Sequence, residues 1–323
     1  MKSILVTGIS GFVGGHFTRY LLKENPGCEI HGVSRSVPAW DFFPDSRALQ
    51  GDITFHQCDL LDAEKLAGIL HETNPEYILH LASFSSVAES WTSPRHAFLN
   101  NTAAFLNIAD TVRKQGLSTR ILSVGSSEEY GIVASGDLPL VETRNPDPRN
   151  PYAVARVAEE HLARVFVQGY RQDICCTRSF NHIGPGQRDQ YVVSSVAKQF
   201  AEIAAGKKKP VVQIGDGSIV RDFIDVEDVV RAYYAILERG TAGEVYNVCT
   251  GTGHSIRDIV DRLSAITGIQ VSVSEDRTRI RPVDNPALVG SYEKLRKATG
   301  WAPEKSLDES LQTMYQYWSG RLS

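Results

Sequence analysis

Six short runs of β-branched and apolar residues recur through the first half of the chain: "SILVTG" (3–8), "EIHGVS" (29–34), "ITFHQCD" (53–59), "YILHLAS" (77–83), "RILSVGS" (120–126) and "DICCTRS" (173–179). Longer segments stand between them, and "HFTRYLLKE", "AEKLAGILHE", "AFLNIADTVRKQ" and "RVAEEHLARVFVQGY" carry apolar residues at helical spacing. Near-continuous apolar strands are buried on both faces, and strands alternating with helices need parallel crossovers. The pattern therefore predicts an α/β fold with a doubly wound parallel Rossmann-type sheet, whose ligands bind beyond the carboxyl ends of the strands.

After about residue 179 the pattern changes. "FNHIGPGQRDQ" is polar and glycine-rich, and the remainder reads as a smaller, mostly helical unit. The expected division is a dinucleotide-binding domain over 1–178 and a substrate-binding domain over 179–323, with about 211–250 partly returning to the first. A chain of 323 residues has material for two cores. A formal charge of −4 gives no nucleic-acid footprint. The five cysteines have no paired metal-type spacing and read as reduced thiols, so no metal site is expected. "MKSILVTG" reaches a glycine before a signal sequence could form, and no apolar run approaches the roughly 18 residues of a membrane span. A cytoplasmic protein without membrane or nucleic-acid partners is expected.

Gly8, Gly11 and Gly14 fall between the first strand and the first helix. Glycines there let backbone turn tightly and approach a diphosphate, which the N–H groups and dipole of the helix N-terminus then hold. An NAD site usually carries an acidic residue at the end of the second strand for the ribose hydroxyls. Here that strand ends in Ser34 and Arg35, and a guanidinium suits a 2′-phosphate, so NADP(H) is favoured over NAD(H). Asp59, ending the third strand, can accept from an adenine amino group or cap the helix that follows.

"SVGSSEEYG" (123–131) closes the fifth strand with hydroxyls and carboxylates, and "NPYAVAR" (150–156) puts Arg156 one helical turn after Tyr152. With the glycine loop, these resemble the extended short-chain dehydrogenase/reductase family, and "TGISGFVGG", "CDLLD", "HLAS", "SSEEYG", "NPYAVAR", "RSFNHIGPGQ", "RDFIDVEDVV", "YNVCTG" and "RIRPVDNPALVGS" fall in that family's order. Within it the chain is most similar to the branch acting on GDP-6-deoxy-4-keto-mannose, and "FNHIGPGQ" looks like that branch's reductases.

The resemblance implies a cofactor site of Gly8, Gly11, Phe12, Val13, Gly14, Ser34, Arg35, Asp59, Leu60, Leu81, Ala82 and Ser83 with Tyr152 and Arg156. It implies catalysis by Ser126, Tyr152 and Arg156, with Glu128 matching a proton-transfer glutamate of the dehydratases. Asn181, Arg221 and Arg281 match positions that contact the nucleotide diphosphate; Ser85 and Ser86 can reach the sugar, and His182 reads as structural. The implied reaction is NADP(H)-dependent reduction of the C4 ketone of a GDP-linked sugar, GDP-4-keto-6-deoxy-D-mannose to GDP-D-rhamnose. A 4,6-dehydratase or 4-epimerase with retained cofactor is the alternative, and a non-catalytic dinucleotide-binding protein a third reading. The family commonly forms a homodimer through helices such as those of "AAFLNIADTVR" and "AVARVAEEHLARVFV".

A phenol with its usual pKa of about 10 exchanges its proton poorly near neutrality, and an adjacent cation favours the phenolate. The family usually places lysine where this chain has Arg156. Arginine keeps the charge but cannot deprotonate, so the electrostatic part of the role survives and a proton relay through this side chain does not. Arg156→Lys is expected to keep or improve turnover in steady-state assays, and complete loss of activity contradicts this reading.

Overall fold

The computed structural model describes residues 1–279 and 285–322. Strands β1 (Ser3–Thr7), β2 (Glu29–Ser34), β3 (Thr54–Gln57), β4 (Tyr77–His80), β5 (Arg120–Ser126) and β6 (Asp173–Ser179) form where the apolar runs predict them. β7 (Asn181–Ile183), β8 (Val211–Ile214), β9 (Val220–Asp225) and β10 (Val245–Val248) follow.

One sheet holds seven strands in the order β10-β6-β5-β4-β1-β2-β3, and every pairing in it is parallel. The order reverses between β1 and β4, so the chain leaves these two neighbours toward opposite faces and opens a crevice at their carboxyl ends. β1 presents Ile4, Leu5 and Val6 without exposure, as a strand covered on both faces must. One face packs Ile4, Val6, Leu79 and Leu122 against Phe17, Leu21, Val229 and Tyr233. The other packs Leu5, Ile78 and Ile121 against Leu66, Phe105, Ile108 and Phe166.

The seventh strand comes from the second half of the chain. After β9, the helix Val226–Arg239 lies on the helix Phe12–Glu24, and β10 then joins β6. Within 211–250, β8 and β9 pair in the smaller sheets, and β10 is the strand that joins the large one. That unit combines the helices Val192–Ala204, Ile256–Thr267 and Leu307–Leu322 with a four-stranded and a two-stranded sheet. Phe200, Phe223, Leu263 and Met314 fill its core.

His16 ties the two units together. It is buried among Phe12, Phe42 and Phe43, and its Nε2–H donates to the Pro185 carbonyl at 2.8 Å. Burial lowers its pKa from 6.5 to about 4, although the bond to Pro185 opposes the shift. The folded chain thus holds a neutral ring where the unfolded chain protonates near 6.5. That contribution is complete above pH 6.5 and is withdrawn as pH falls toward 4. Between pH 7 and pH 5, urea denaturation should show wild type losing on the order of 2 kcal/mol relative to His16→Asn. A difference independent of pH contradicts the assignment.

Candidate active site

The crevice widens into a cleft of about 1220 Å³ between the large sheet and the smaller unit. At its base β1 runs into Gly8, whose φ of +69° suits glycine. A Cβ on Gly8 would stand 2.7 Å from the Ala82 nitrogen, and one on Gly14 would stand 2.5 Å from the Ile9 carbonyl oxygen. Glycine therefore sets how closely the turn, the helix and the end of β4 approach. Gly11 caps the helix Phe12–Glu24 without a side-chain bond, so the first turn keeps its N–H groups for a ligand. Ser83 lines the same edge with a buried hydroxyl that has no protein partner. The lining glycines and donors, with Phe12, Val13, Leu60, Leu81 and Ala82, fit a dinucleotide.

Ser34 and Arg35 line the cleft at the end of β2. The Ser34 hydroxyl donates to the Ser36 carbonyl at 2.6 Å, and Arg35 is exposed. Asp59 also lines the cleft, and its Oδ1 accepts from the Leu61 N–H at 3.0 Å. It thus serves the local turn, while its exposure leaves the second carboxylate oxygen accessible.

One helix start brings Tyr152 and Arg156 to the cleft. Asn150 caps the helix Pro151–Tyr170 by accepting from the Ala153 N–H at 2.8 Å, and Pro151 occupies the first turn, where its missing N–H does no harm. The cap fixes where the helix begins, and so puts Tyr152 on its first turn at the cleft wall. Arg156 follows on the same face, with Nε 3.4 Å from the Tyr152 hydroxyl oxygen and the guanidinium carbon 5.5 Å from the ring centroid. Burial opposes the Arg156 charge, but the Glu159 carboxylate and Tyr152 outweigh it and push its pKa above the usual range. Arg156 is a fixed cation.

Ser126, at the end of β5, lines the cleft with Tyr152 and Arg156. Its Oγ accepts from the Glu128 N–H at 3.2 Å, which leaves its own hydrogen to donate to a ligand oxygen. The Ser126 N–H donates to Glu129 Oε1 at 2.7 Å, fixing the backbone at that point. Burial, reinforced by the neighbouring Glu160 carboxylate, drives the Glu129 carboxyl well above its usual pKa range.

Glu128 follows Ser126 in the same turn. It is not among the residues lining the cleft, and its Oε2 accepts from the Asn150 amide at 3.0 Å. The carboxylate thus touches the residue that caps the Tyr152 helix.

Ser85, Ser86, Asn181 and Arg221 all line the cleft. Ser85 shares a 2.9 Å hydrogen bond with the Tyr191 hydroxyl, and Ser86 caps the helix Val87–Thr92 by accepting from Glu89 N–H. Arg221 is buried, with Nη1 donating to the Val220 and Asn285 carbonyls at 2.8 Å each. Arg281 lies outside the described residues. Tyr191 and Tyr233 are lining residues that sequence reasoning missed. "VVRAYYAILE" reads as an amphipathic helix and carries no signal that one of its tyrosines faces a ligand. The Tyr233 hydroxyl meets Ser179 Oγ at 2.9 Å and His182 Nε2 at 3.1 Å. Burial lowers the His182 pKa to about 4, so its ring is neutral.

The model of the GDP-mannose 4,6 dehydratase family matches residues 5–314. The GDP-6-deoxy-D-mannose reductase of Pseudomonas aeruginosa is 34% identical, over 99% of this chain and 98% of the relative. The solved structure of RMD from Pseudomonas aeruginosa complexed with NADPH superposes with a TM-score of 0.86 at 33% identity, covering 99% of this chain and 98% of that one. The Thermus thermophilus UDP-glucose 4-epimerase in complex with NAD gives 0.86 at 28% identity, covering 98% of this chain and 99% of that one. A glycine turn at the β1/β4 crevice, a serine ending β5 and a tyrosine–cation pair on the next helix thus occur in a chain that belongs to the GDP-mannose 4,6 dehydratase family of extended short-chain dehydrogenases/reductases.

Proposed function

We propose that the chain is an NADP(H)-dependent reductase of a nucleotide-sugar C4 ketone, taking GDP-4-keto-6-deoxy-D-mannose to GDP-D-rhamnose. The observation that carries this reading is the Tyr152 hydroxyl beside the Arg156 guanidinium, on the cleft wall with Ser126. The 34% identical reductase supports the reaction, and the NADPH complex of the Pseudomonas protein, with Arg35 at the β2 edge, supports the phosphorylated cofactor.

Bound at the glycine turn, NADPH supplies the reducing equivalent for the ketone carbon. Tyr152 supplies the proton to the ketone oxygen, and Ser126 donates a hydrogen bond to that oxygen as its charge develops. Arg156 stabilises the phenolate left behind and cannot itself replace the lost proton, so Tyr152 is reprotonated from solvent through the open cleft. Asn181 and Arg221, which line the cleft, are the groups we assign to the diphosphate, with Ser85 and Ser86 toward the sugar. The 34% identical reductase favours reduction over the dehydratase reading, and Glu128, two residues from Ser126, is the group that water elimination would call on.

The reading includes a cytoplasmic setting and a homodimer. All five cysteines are buried and unpaired, as in a reducing compartment, and among the described residues no helix is long and apolar enough to cross a membrane. Val154 and Val165 lie on one side of the Tyr152 helix with 45% and 54% exposure, and Phe98 and Leu106 are exposed on helices beside it. An exposed apolar face of this kind suits a second copy.

With a panel of 4-keto nucleotide-sugars, one NADPH should be oxidised per product formed, with the GDP-linked substrate preferred and NADH poorer. Tyr152→Phe should lower kcat by about 100-fold or more. Turnover without net NADPH oxidation would transfer the assignment to the epimerase or dehydratase reading. By analytical ultracentrifugation, wild type should sediment as a dimer and Val165→Glu should shift it toward monomer; a monomeric wild type removes the dimer from the proposal.

A further inference from the structure

Arg156 touches Tyr152 only weakly. Its Nε lies 3.4 Å from the hydroxyl, at the outer limit of a hydrogen bond, so this contact does not fix where the guanidinium points. The short bond is on the other side, where Nη1 donates to Glu159 Oε2 at 2.8 Å. Glu159 is 2% exposed and is itself anchored to the sheet: its Oε1 accepts from the Ser123 hydroxyl on β5. His80 of β4 approaches the same oxygen at 3.9 Å, and its Nδ1 meets Thr7 Oγ1 of β1 at 2.8 Å. The charged and titratable groups around this carboxylate are Arg156 on its own helix, His80 on β4 and Cys176 on β6. Burial holds the His80 ring neutral, with a pKa of about 3, so Arg156 supplies the positive charge that Glu159 meets.

The neighbouring carboxylate is committed elsewhere. Glu160 accepts from Arg178 Nε and Nη2 at 2.9 Å each, on the adjoining side of the helix. Two consecutive glutamates thus serve two different guanidiniums, and Glu159 is the one whose partner lines the cleft.

We propose that Glu159 is a positioning residue for the reaction: pinned to the sheet through Ser123, its carboxylate holds the Arg156 guanidinium so that Nε stays against the Tyr152 hydroxyl. This rests on the reductase reading above. An arginine stem is long and flexible, and a fork held at one nitrogen is oriented at the others. With Nη1 on Glu159 and Nε at Tyr152, the guanidinium plane is defined by two points. Glu159 does not itself line the cleft and acts through Arg156.

A double-mutant cycle with a spectroscopic readout tests this. Glu159→Ala should lower kcat about tenfold while KM for the keto-sugar stays within about twofold, because orientation and not substrate binding is lost. Glu159→Gln, which keeps an acceptor oxygen, should retain kcat within about threefold. In an Arg156→Ala background, Glu159→Ala should add less than about a twofold further loss. On the protein without cofactor, the arginine Nε–H resonance assigned by its absence in Arg156→Lys should exchange slowly with solvent in wild type and Glu159→Gln. It should exchange about tenfold faster or more in Glu159→Ala. If Glu159→Ala does not fold, Ser123→Ala removes the anchor instead, and about a threefold fall in kcat with faster Nε–H exchange is expected.

Equal losses from Glu159→Ala with and without Arg156, or an unchanged exchange rate, overturn the proposal. A wild-type protein that reduces no keto-sugar nucleotide but loses Nε–H protection in Glu159→Ala retires the reductase reading and leaves the holding of Arg156 intact.

Discussion

Arg156 carries a permanent positive charge into an interior where 4% of its side chain meets solvent. A buried cation is tolerable only if its neighbours supply opposite charge and hydrogen bonds, and taking away one partner of such a pair costs about 3–5 kcal/mol. Glu159 supplies the charge, and the hydroxyl of Ser123 satisfies the rest of that carboxylate. The same helix repeats the arrangement one residue later with Glu160 and Arg178, where the carbonyls of Glu142 and Arg144 take up the remaining donors. These pairs lock the helix Pro151–Tyr170 to β5 and β6, so the position of Tyr152 follows from electrostatic requirements as much as from apolar packing.

The cleft depends on that helix being in register with the sheet edge. Parallel strands end together, and reversal of the strand order between β1 and β4 leaves backbone there uncovered. Gly8 and Gly14 bring the turn and helix into contact with Ala82 and Ile9, close enough that the helix N-terminus forms the floor. The smaller unit then closes the other side, and His16 joins the two by its bond to Pro185. The glycine turn, Tyr152 and the polar groups that line the cleft are brought together by this one topology.

Much of this was readable in the chain. Continuous apolar runs located six strands, because a strand covered on both faces has no polar side to disturb the pattern. Helical spacing alone brought Tyr152 beside Arg156. Contacts between distant segments mark the limit. Arg221 and Asn285 meet across 64 positions, and no local pattern encodes such a contact.

The sequence by itself determined the alternation of strand and helix, the glycine turn and the phenol–guanidinium pair, since each depends on residues within a turn or two of one another. Only the tertiary structure decided that β10 completes the large sheet, that Tyr191 and Tyr233 line the cleft, and that Glu159 rather than Glu160 holds Arg156. Those outcomes turn on distances between segments far apart in the chain, and these are fixed when the strands pair and the interior charges find partners.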